Sequence, residues 1–335
     1  MNATDAIATI EIPLAALTFA GADLQRPECA ICASSGDVYV ADWRGGVTRI
    51  APDGAQRTVV GEHPDGGPLQ PNGIALAGDG SFLLAHLGAT AGGVFRLGRG
   101  GAVTPVLLEV DGVALPPTNY VIEDDRGRLW ITVSTRLAPR ALGYRPTASD
   151  GFVVLVDGNG ARIVADGLGY TNECAIHPSG EWLWVNETFG RRLSRFRILR
   201  DGGLGPRETV TIFGAGLYPD GLAFDVEGCA WVVSIVSNSV VRVAPDGEQT
   251  LVLQDADAEH VAWVEAAFQS GTMGRPHLDR AAGRVLRNIS SIAFGGPGLR
   301  RAYLGCLLDQ RLPTFAAPVA GHPPSHWLRR SNIFD

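Results

Sequence analysis

No stretch of about 18 consecutive apolar residues occurs in the 335-residue chain, so no transmembrane helix is expected. There is no basic excess either: 28 Lys and Arg stand against 35 Asp and Glu, a net charge of −7. With no surplus of cations to displace phosphate counterions, a nucleic-acid partner is not expected. The opening MNATDAIATIEIPLAAL lacks a basic stretch followed by an unbroken apolar one. That is not the pattern of a secretory leader, and a cytoplasmic location is expected. The five cysteines (Cys29, Cys32, Cys174, Cys229, Cys306) are odd in number and sit mostly within apolar runs. CAIC at 29–32 has the spacing of a redox or zinc pair, but no second Cys or His pair completes it. Buried structural thiols are therefore expected. Long helical periodicity is scarce.

What is abundant is turn chemistry, with 43 Gly and 21 Pro. Counting back eight residues from the glycine after successive apolar runs aligns ECAICASSG, NGIALAGDG, NYVIEDDRG, NECAIHPSG and DGLAFDVEG, with SSIAFGGPG as a looser sixth copy. A second run follows each copy (DVYVADW, SFLLAHL, RLWITVS, EWLWVNE, CAWVVSI, RAYLGCL). In most copies a third run then ends in Asp-Gly or Gly-Gly, and a fourth comes after it. Four short strands per unit, at spacings of 44, 47, 53 and 48 residues, describe the blades of a β-propeller. The fold class is all-β, one six-bladed propeller over 1–335. The gap of 70 from Asp220 to Ser290 leaves room for an insertion at about 255–280, where Val261, Val264, Ala267 and Phe268 recur at helical spacing. It is a lid, a subunit surface or a packing insertion. The sixth blade lacks its own outer strand, which residues 8–18 are expected to supply, closing the ring. A Pro-rich tail occupies about 318–335.

Aligned positions in a propeller form a ring about the channel. The position eight before the turn glycine holds Glu28, Asn72, Asn119, Asn172, Asp220 and Ser290, every one an oxygen donor. Strand capping accounts for Asn, Asp and Ser. It does not account for Glu28, nor for two acids converging on one axis. Two such carboxylates repel unless a cation offsets them. With no His or Cys in the ring, a hard divalent cation such as Ca²⁺, Mg²⁺ or Mn²⁺ suits it better than structural Zn²⁺. The doubled word ECAI misleads here. Its copies lie 145 residues apart and the glycine frame 144, so Glu28 matches Asn172 and Glu173 is only a neighbour.

The segments RPECAICASSGDVYVADW, NYVIEDDRGRLWITV, TNECAIHPSGEWLWVNET, YPDGLAFDVEGCAWVV and SSIAFGGPGLRRAYLG resemble the SMP-30/gluconolactonase/LRE (regucalcin-like) family. The resemblance covers nearly the whole chain outside the insertion and tail. It implies a metal-dependent lactonase in which Glu28, Asn172 and Asp220 hold one divalent ion, Ca²⁺ foremost, with Mn²⁺, Mg²⁺ or Zn²⁺ as alternatives. The metal would polarise the ester carbonyl and acidify a water. Asp220 would be ligand and general base, and Asn119 would orient the carbonyl or stabilise the oxyanion. The implied partner is a small lactone or ester; the oligomeric state is left open.

Two departures bear on substrate. Sugar-lactonase members often read Arg-x-Asn-Asp-Gly, whereas here the segment is PPTNYV, with Pro117 at the Arg place and Tyr120 at the Asp place. Glu173 replaces the Gly that usually follows the metal Asn, so it is a candidate substrate-selecting group. Together they point away from a simple sugar lactone. Asp42, Trp43, His86 and Asn186 end second strands near the same face, and Trp43, Tyr120 and Tyr170 are candidate wall residues. Substrate contacts are thus expected from Asn72, Asn119, Tyr120, Glu173, His86 and Trp43. A lone strand His is more often structural, as His177, His322 and His326 are expected to be. Competing functions are a phosphotriesterase or aryl esterase, a lyase or condensing enzyme on the same scaffold, and a non-catalytic NHL-type interaction propeller.

Overall fold

The computed structural model describes residues 8–280 and 282–335; the first seven residues, where the stretch read for a leader begins, lie outside the described residues. Six antiparallel sheets form a β-propeller, five of them built on four consecutive strands and the sixth on three plus one from the N-terminal region. The inner strands are Ala30–Cys32, Pro71–Leu76, Thr118–Glu123, Thr171–Ile176, Leu217–Phe224 and Ile289–Gly295. Each packs against the next, and the sixth packs against the first, closing the ring. The glycine that sets the repeat frame takes a positive φ in all six copies, between 64° at Gly298 and 85° at Gly36. That conformation costs glycine little and other residues much, so the spacing is a backbone requirement.

The sixth blade borrows its outer strand from the N-terminal region, as the sequence implied, but from residues 18–20, which share only Thr18 with the expected 8–18. Thr18–Ala20 pairs antiparallel with Leu312–Ala316, joining the two ends of the chain. Earlier in the chain, Ala8–Thr9 runs parallel to Gln249–Gln254 and adds a fifth strand to blade five. Both outer edges are thereby covered.

A repeated clamp fixes the blades. In DVEGCAW, Asp225 accepts the backbone N–H groups of Glu227 and Cys229, then the Trp231 indole N–H at 2.9 Å and Arg242 Nε at 2.7 Å. Asp124 holds Trp130 and Arg128 in the same way. Hydrogen bonds to a charged acceptor contribute roughly 1.5–3 kcal/mol each, and the indole they orient fills the space between sheets. In blade four His177 takes the Asp place; it stacks on Trp184 instead, whose indole nitrogen is left without a partner.

The insertion is helical, with Ala258–Gln269 followed by a short turn at Arg275–Leu278. Asp257 caps the first helix by accepting His260 N–H at 2.8 Å. Its buried face, Val264, Ala267 and Phe268, joins Tyr144, Tyr170, Phe189 and Tyr218 in one aromatic cluster. Those partners sit where inner strands begin or second strands end, so the insertion caps the loops of blades three to five at that end of the channel. The tail crosses the opposite end. Among the described residues no helix is long and apolar enough to cross a membrane. All five cysteines are free and buried.

Candidate functional site

The six aligned residues do not sit in regular strand pairing. Between inner and second strands the register slips at Pro71/Ile74, Thr118/Tyr120, Thr171/Cys174, Pro219/Leu222 and Ile289/Ser291. Asn72, Asn119, Asn172, Asp220 and Ser290 therefore fall in β-bulges, which free a residue from the ladder and re-aim its side chain. Glu28 lies just before its strand, after Arg26 in a left-handed conformation (φ 47°). All six are buried, from Glu28 at 8% exposure to Asn119 and Ser290 at 1%.

Contacts link some of them directly and tie the others to neighbouring polar side chains. Asn72 Nδ2 donates to the backbone and side-chain oxygens of Asn119 at 3.2 and 3.3 Å, and Asn119 Nδ2 donates to Ser134 Oγ at 2.9 Å. Asn172 Nδ2 donates to Thr188 Oγ1 at 2.9 Å, which leaves its Oδ1 as the end able to meet a cation. Ser290 Oγ donates to the Glu28 carbonyl, and Asn186 Nδ2 donates to the carbonyls of Asp220 and Gly221. Burial, then the nearby Glu28 carboxylate, holds the Asp220 carboxyl well above its ordinary range, against the opposing charges of Arg26 and Arg140.

The glycine after Asn72 and Asp220 has a steric reason. A Cβ on Gly73 would stand 2.4 Å from the Tyr120 ring, and one on Gly221 2.4 Å from Ser291 Cα. Glu173 reaches the strand after Gly221, where its Oε2 accepts Leu222 N–H at 2.8 Å. Burial raises its carboxyl well above the ordinary range; Leu222 opposes this, and Asp220 and Glu28 add to it. Tyr120 and Cys29 interact with each other and with Glu173, so the three sit together beside the ring.

Trp43 lies within reach of the ring. Its Nε1 donates to Pro71 O at 3.0 Å, and the Arg26 guanidinium lies 4.4 Å over its ring while bonding Glu28 at 2.9 Å. His86 turns elsewhere: its Nδ1 accepts Gln70 N–H at 3.0 Å, and its ring packs against His63 and Phe95. Burial, with His63 beside it, lowers its pKa to about 4. Asp42 is engaged by Arg44 and Thr48.

The structure also brings in a residue that the repeat frame did not. Arg140 comes from the loop after the second strand of blade three, and its charge acts on both Glu28 and Asp220. Only the general rule that grouped acids attract cations hinted at it.

The donor set fits a hard divalent ion. Among the described residues no three His, Cys, Asp or Glu side chains gather into a metal cluster, so carboxamide oxygens have to share the work of Glu28 and Asp220. Asn72 Oδ1 and Asn186 Oδ1 are buried acceptors with no donor, the state expected of oxygens that face a cation or its waters.

Residues 70–264 match the model of the SMP-30/Gluconolactonase/LRE-like region. The chain belongs to that family. The match takes in Asn119, Asn172 and Asp220 and stops short of Glu28 and Ser290. A 6-deoxy-6-sulfogluconolactonase of Pseudomonas putida is 31% identical over 128 residues, 37% of this chain and 41% of that protein. The chain thus spans about two fifths of that relative's length. A gluconolactonase structure from Xanthomonas campestris superposes with a TM-score of 0.65 at 18% identity, over 90% of this chain and 89% of that one. A calcium-binding regucalcin structure from Agrobacterium tumefaciens gives 0.64 at 18% identity, over 93% and 98%. At such identities the two structures bear on the fold alone.

Proposed function

We propose that the protein is a divalent-metal-dependent hydrolase that opens a lactone to a hydroxy acid. The observation that carries this is the grouping of two buried carboxylates, Glu28 and Asp220, with buried carboxamides where the inner strands begin. Family membership and the name of the Pseudomonas relative support the lactone as substrate class. Glu28, Asn172 and Asp220 would hold the ion, which when bound supplies a Lewis acid for the ester carbonyl and for water.

The remaining work falls to the chain's own groups. Asp220 shares the ring with Glu28, and with a cation offsetting the two charges its carboxylate would accept a proton from the attacking water. Thr188 fixes the Asn172 amide and Ser134 fixes that of Asn119, which leaves the second Asn119 N–H for the developing oxyanion. Arg26 neutralises one Glu28 oxygen and, stacked on Trp43, holds a wall of the pocket. Glu173 stands beside Tyr120, its Oε2 held by the Leu222 N–H, and would meet the substrate there. Opening a ring keeps alcohol and acid on one molecule, so both ends leave from the same polar site.

A pH-stat assay of chelated protein reloaded with Ca²⁺, Mn²⁺, Mg²⁺ or Zn²⁺, against lactones, aryl esters and phosphotriesters, tests the proposal. Metal-dependent base consumption with lactones is expected. Turnover of phosphotriesters or aryl esters with none of lactones would replace the lactone assignment. Full lactone hydrolysis by a metal-free Asp220→Ala variant would remove the roles given to the ring.

A further inference from the structure

Most arginines that are not fully exposed meet a carboxylate. Arg128 reaches Asp124 and Arg242 reaches Asp225 at 2.7 Å, Arg192 reaches Glu187 at 2.7 Å, and Arg26 reaches Glu28 at 2.9 Å. This follows from the cost of taking a guanidinium out of water without a counter-charge. Arg140 departs from the rule beside the ring. It opens the short turn Arg140–Gly143, and its Nε donates to the Tyr170 hydroxyl at 2.7 Å. No other hydrogen bond and no ion pair to Arg140 occurs among the described residues, so its terminal nitrogens face no carboxylate in contact.

Its position is nonetheless fixed. Tyr170 adopts φ 69°, two residues before Asn172, and its ring is held edge-on between Tyr144 at 5.4 Å and Phe189 at 4.7 Å. The Arg140 guanidinium lies 5.4 Å from the centre of the Tyr170 ring. Arg136 fastens the same loop to Asp166 at 2.8 Å and to Asp150. Arg275 of the insertion also bonds Tyr144, but its charge is already met by Asp279, which leaves Arg140 as the cation of this wall without a paired carboxylate. A guanidinium presents a planar fork that matches two oxygens of a carboxylate or sulfonate, and here the fork is already oriented.

We propose that Arg140 is the anion-recognising residue of the site, and that the substrate is a lactone carrying a carboxylate or sulfonate in addition to its ring ester. The substrate part rests on the hydrolase proposed above; the anion subsite does not. Arg140 also explains how a chain with Pro117 where sugar lactonases often carry Arg keeps a cation at the ring. The charge arrives from a different loop and selects a different group.

Two arms test this. In the first, the metal-loaded enzyme is given γ-butyrolactone, its ring-carboxylated counterpart 5-oxotetrahydrofuran-2-carboxylate, and a sulfonated γ-lactone. The charged lactones are expected to be preferred by at least about tenfold in kcat/KM, the size of a charge-assisted hydrogen bond. Arg140→Leu should collapse that preference through KM, and Arg140→Lys should restore part of it. Arg200→Leu, which removes an exposed charge far from the loop, should leave it intact.

The second arm needs no turnover: calorimetry compares 2-hydroxyglutarate with 4-hydroxybutyrate on wild type and Arg140→Leu, with and without metal. Tighter dianion binding that disappears in Arg140→Leu is expected. If lactones are opened with no preference for either charged form, or the preference survives Arg140→Leu, the subsite is overturned and the hydrolase stands. If no lactone is opened but dianion binding still depends on Arg140, the hydrolase fails and the subsite stands.

Discussion

The two ends of the channel are built from the same six strands and have opposite characters. Where the strands begin, bulges turn out Asn172 and Asp220, Glu28 stands just ahead of its strand, and Arg26 and Arg140 lie beside them. Where the strands end, alternation is regular and the walls are apolar. There Ile74, Ile122, Ile176, Leu222 and Ile292 line a cavity of about 490 Å³, closed by the tail segment His322–Leu328. Cavity size would place a binding site at the tail end. The grouped carboxylates put the proposed chemistry at the other. The difference teaches that in this ring the departure from strand pairing coincides with the end proposed to be functional, because a regular ladder spends its polar groups on itself.

The sharpest way to separate the ends is to remove one ring oxygen. Asp220→Asn should lower lactone opening by about 10²- to 10⁴-fold, the range for loss of a positioned proton acceptor. Its melting temperature should stay near that of wild type, since the amide keeps the shape and relieves repulsion from Glu28. Calorimetry should show divalent metal binding weakened in the same variant. A variant that melts early and loses activity in proportion would make the ring structural.

The reverse experiment attacks the tail. Phe334 packs on Tyr39 at 5.7 Å and Phe82 at 6.2 Å, and Arg57 bonds its carbonyl. Arg329 binds the Leu76 carbonyl and Glu123, and Asn332 binds the Asp79 carbonyl. Phe334→Ala should cost about 3 kcal/mol, seen as a melting temperature several degrees lower and stronger binding of an apolar dye. Lactone opening at 25 °C should be retained. Loss of kcat without loss of fold would show that the two ends communicate.

The blades were legible because turn glycines and the short apolar runs between them recur with a nearly fixed count. The ring was legible for the same reason, since bulges recur at the same place in each copy and leave the count unchanged. What lies outside the repeat was not. Arg140 belongs to a loop with no period, and only the fold-back onto Tyr170 brings it to Glu28. His86 was placed correctly at a strand end, yet its ring is claimed by Gln70, His63 and Phe95, and His63 comes from a loop that the alignment does not index. Residues 8–18 were assigned to one outer strand. The chain divides that stretch between two blades because short edge strands carry little pattern. The tail GHPPSHWLRR offered nothing to align, and it is held largely through backbone carbonyls, which have no sequence signature.

A smaller effect should appear on acidification, and at the tail end alone. Burial, with Arg329 adding to it, lowers the His326 pKa to about 4, while the carbonyl of Cys32 opposes. In the unfolded chain the group titrates near about 6.5. Between these values the unfolded state binds more protons, so tail docking is fully stabilised above the upper value and loses stability as pH falls toward the lower one. Hydrogen exchange of residues 322–334, corrected for intrinsic rates, should rise relative to the blades between pH 7 and pH 5. His326→Gln should flatten that change; equal loosening in the variant would assign it to another group.

The smallest effect is expected at the joint between the ends. Tyr120 lies beside the ring through Cys29 and Glu173, yet it also lines the cavity. Its ring packs against Gly73, where there is no room for a Cβ. If it serves as a partition, Tyr120→Phe keeps the packing and loses one hydrogen bond to a thiol, which is worth less than about 1 kcal/mol. Melting temperature and kcat/KM should then change little, by less than about threefold for the latter. A larger loss confined to KM would instead make the Tyr120 hydroxyl a substrate contact. The partition would then be the floor of the binding pocket, and the polar end would reach one layer deeper than the bulges alone define.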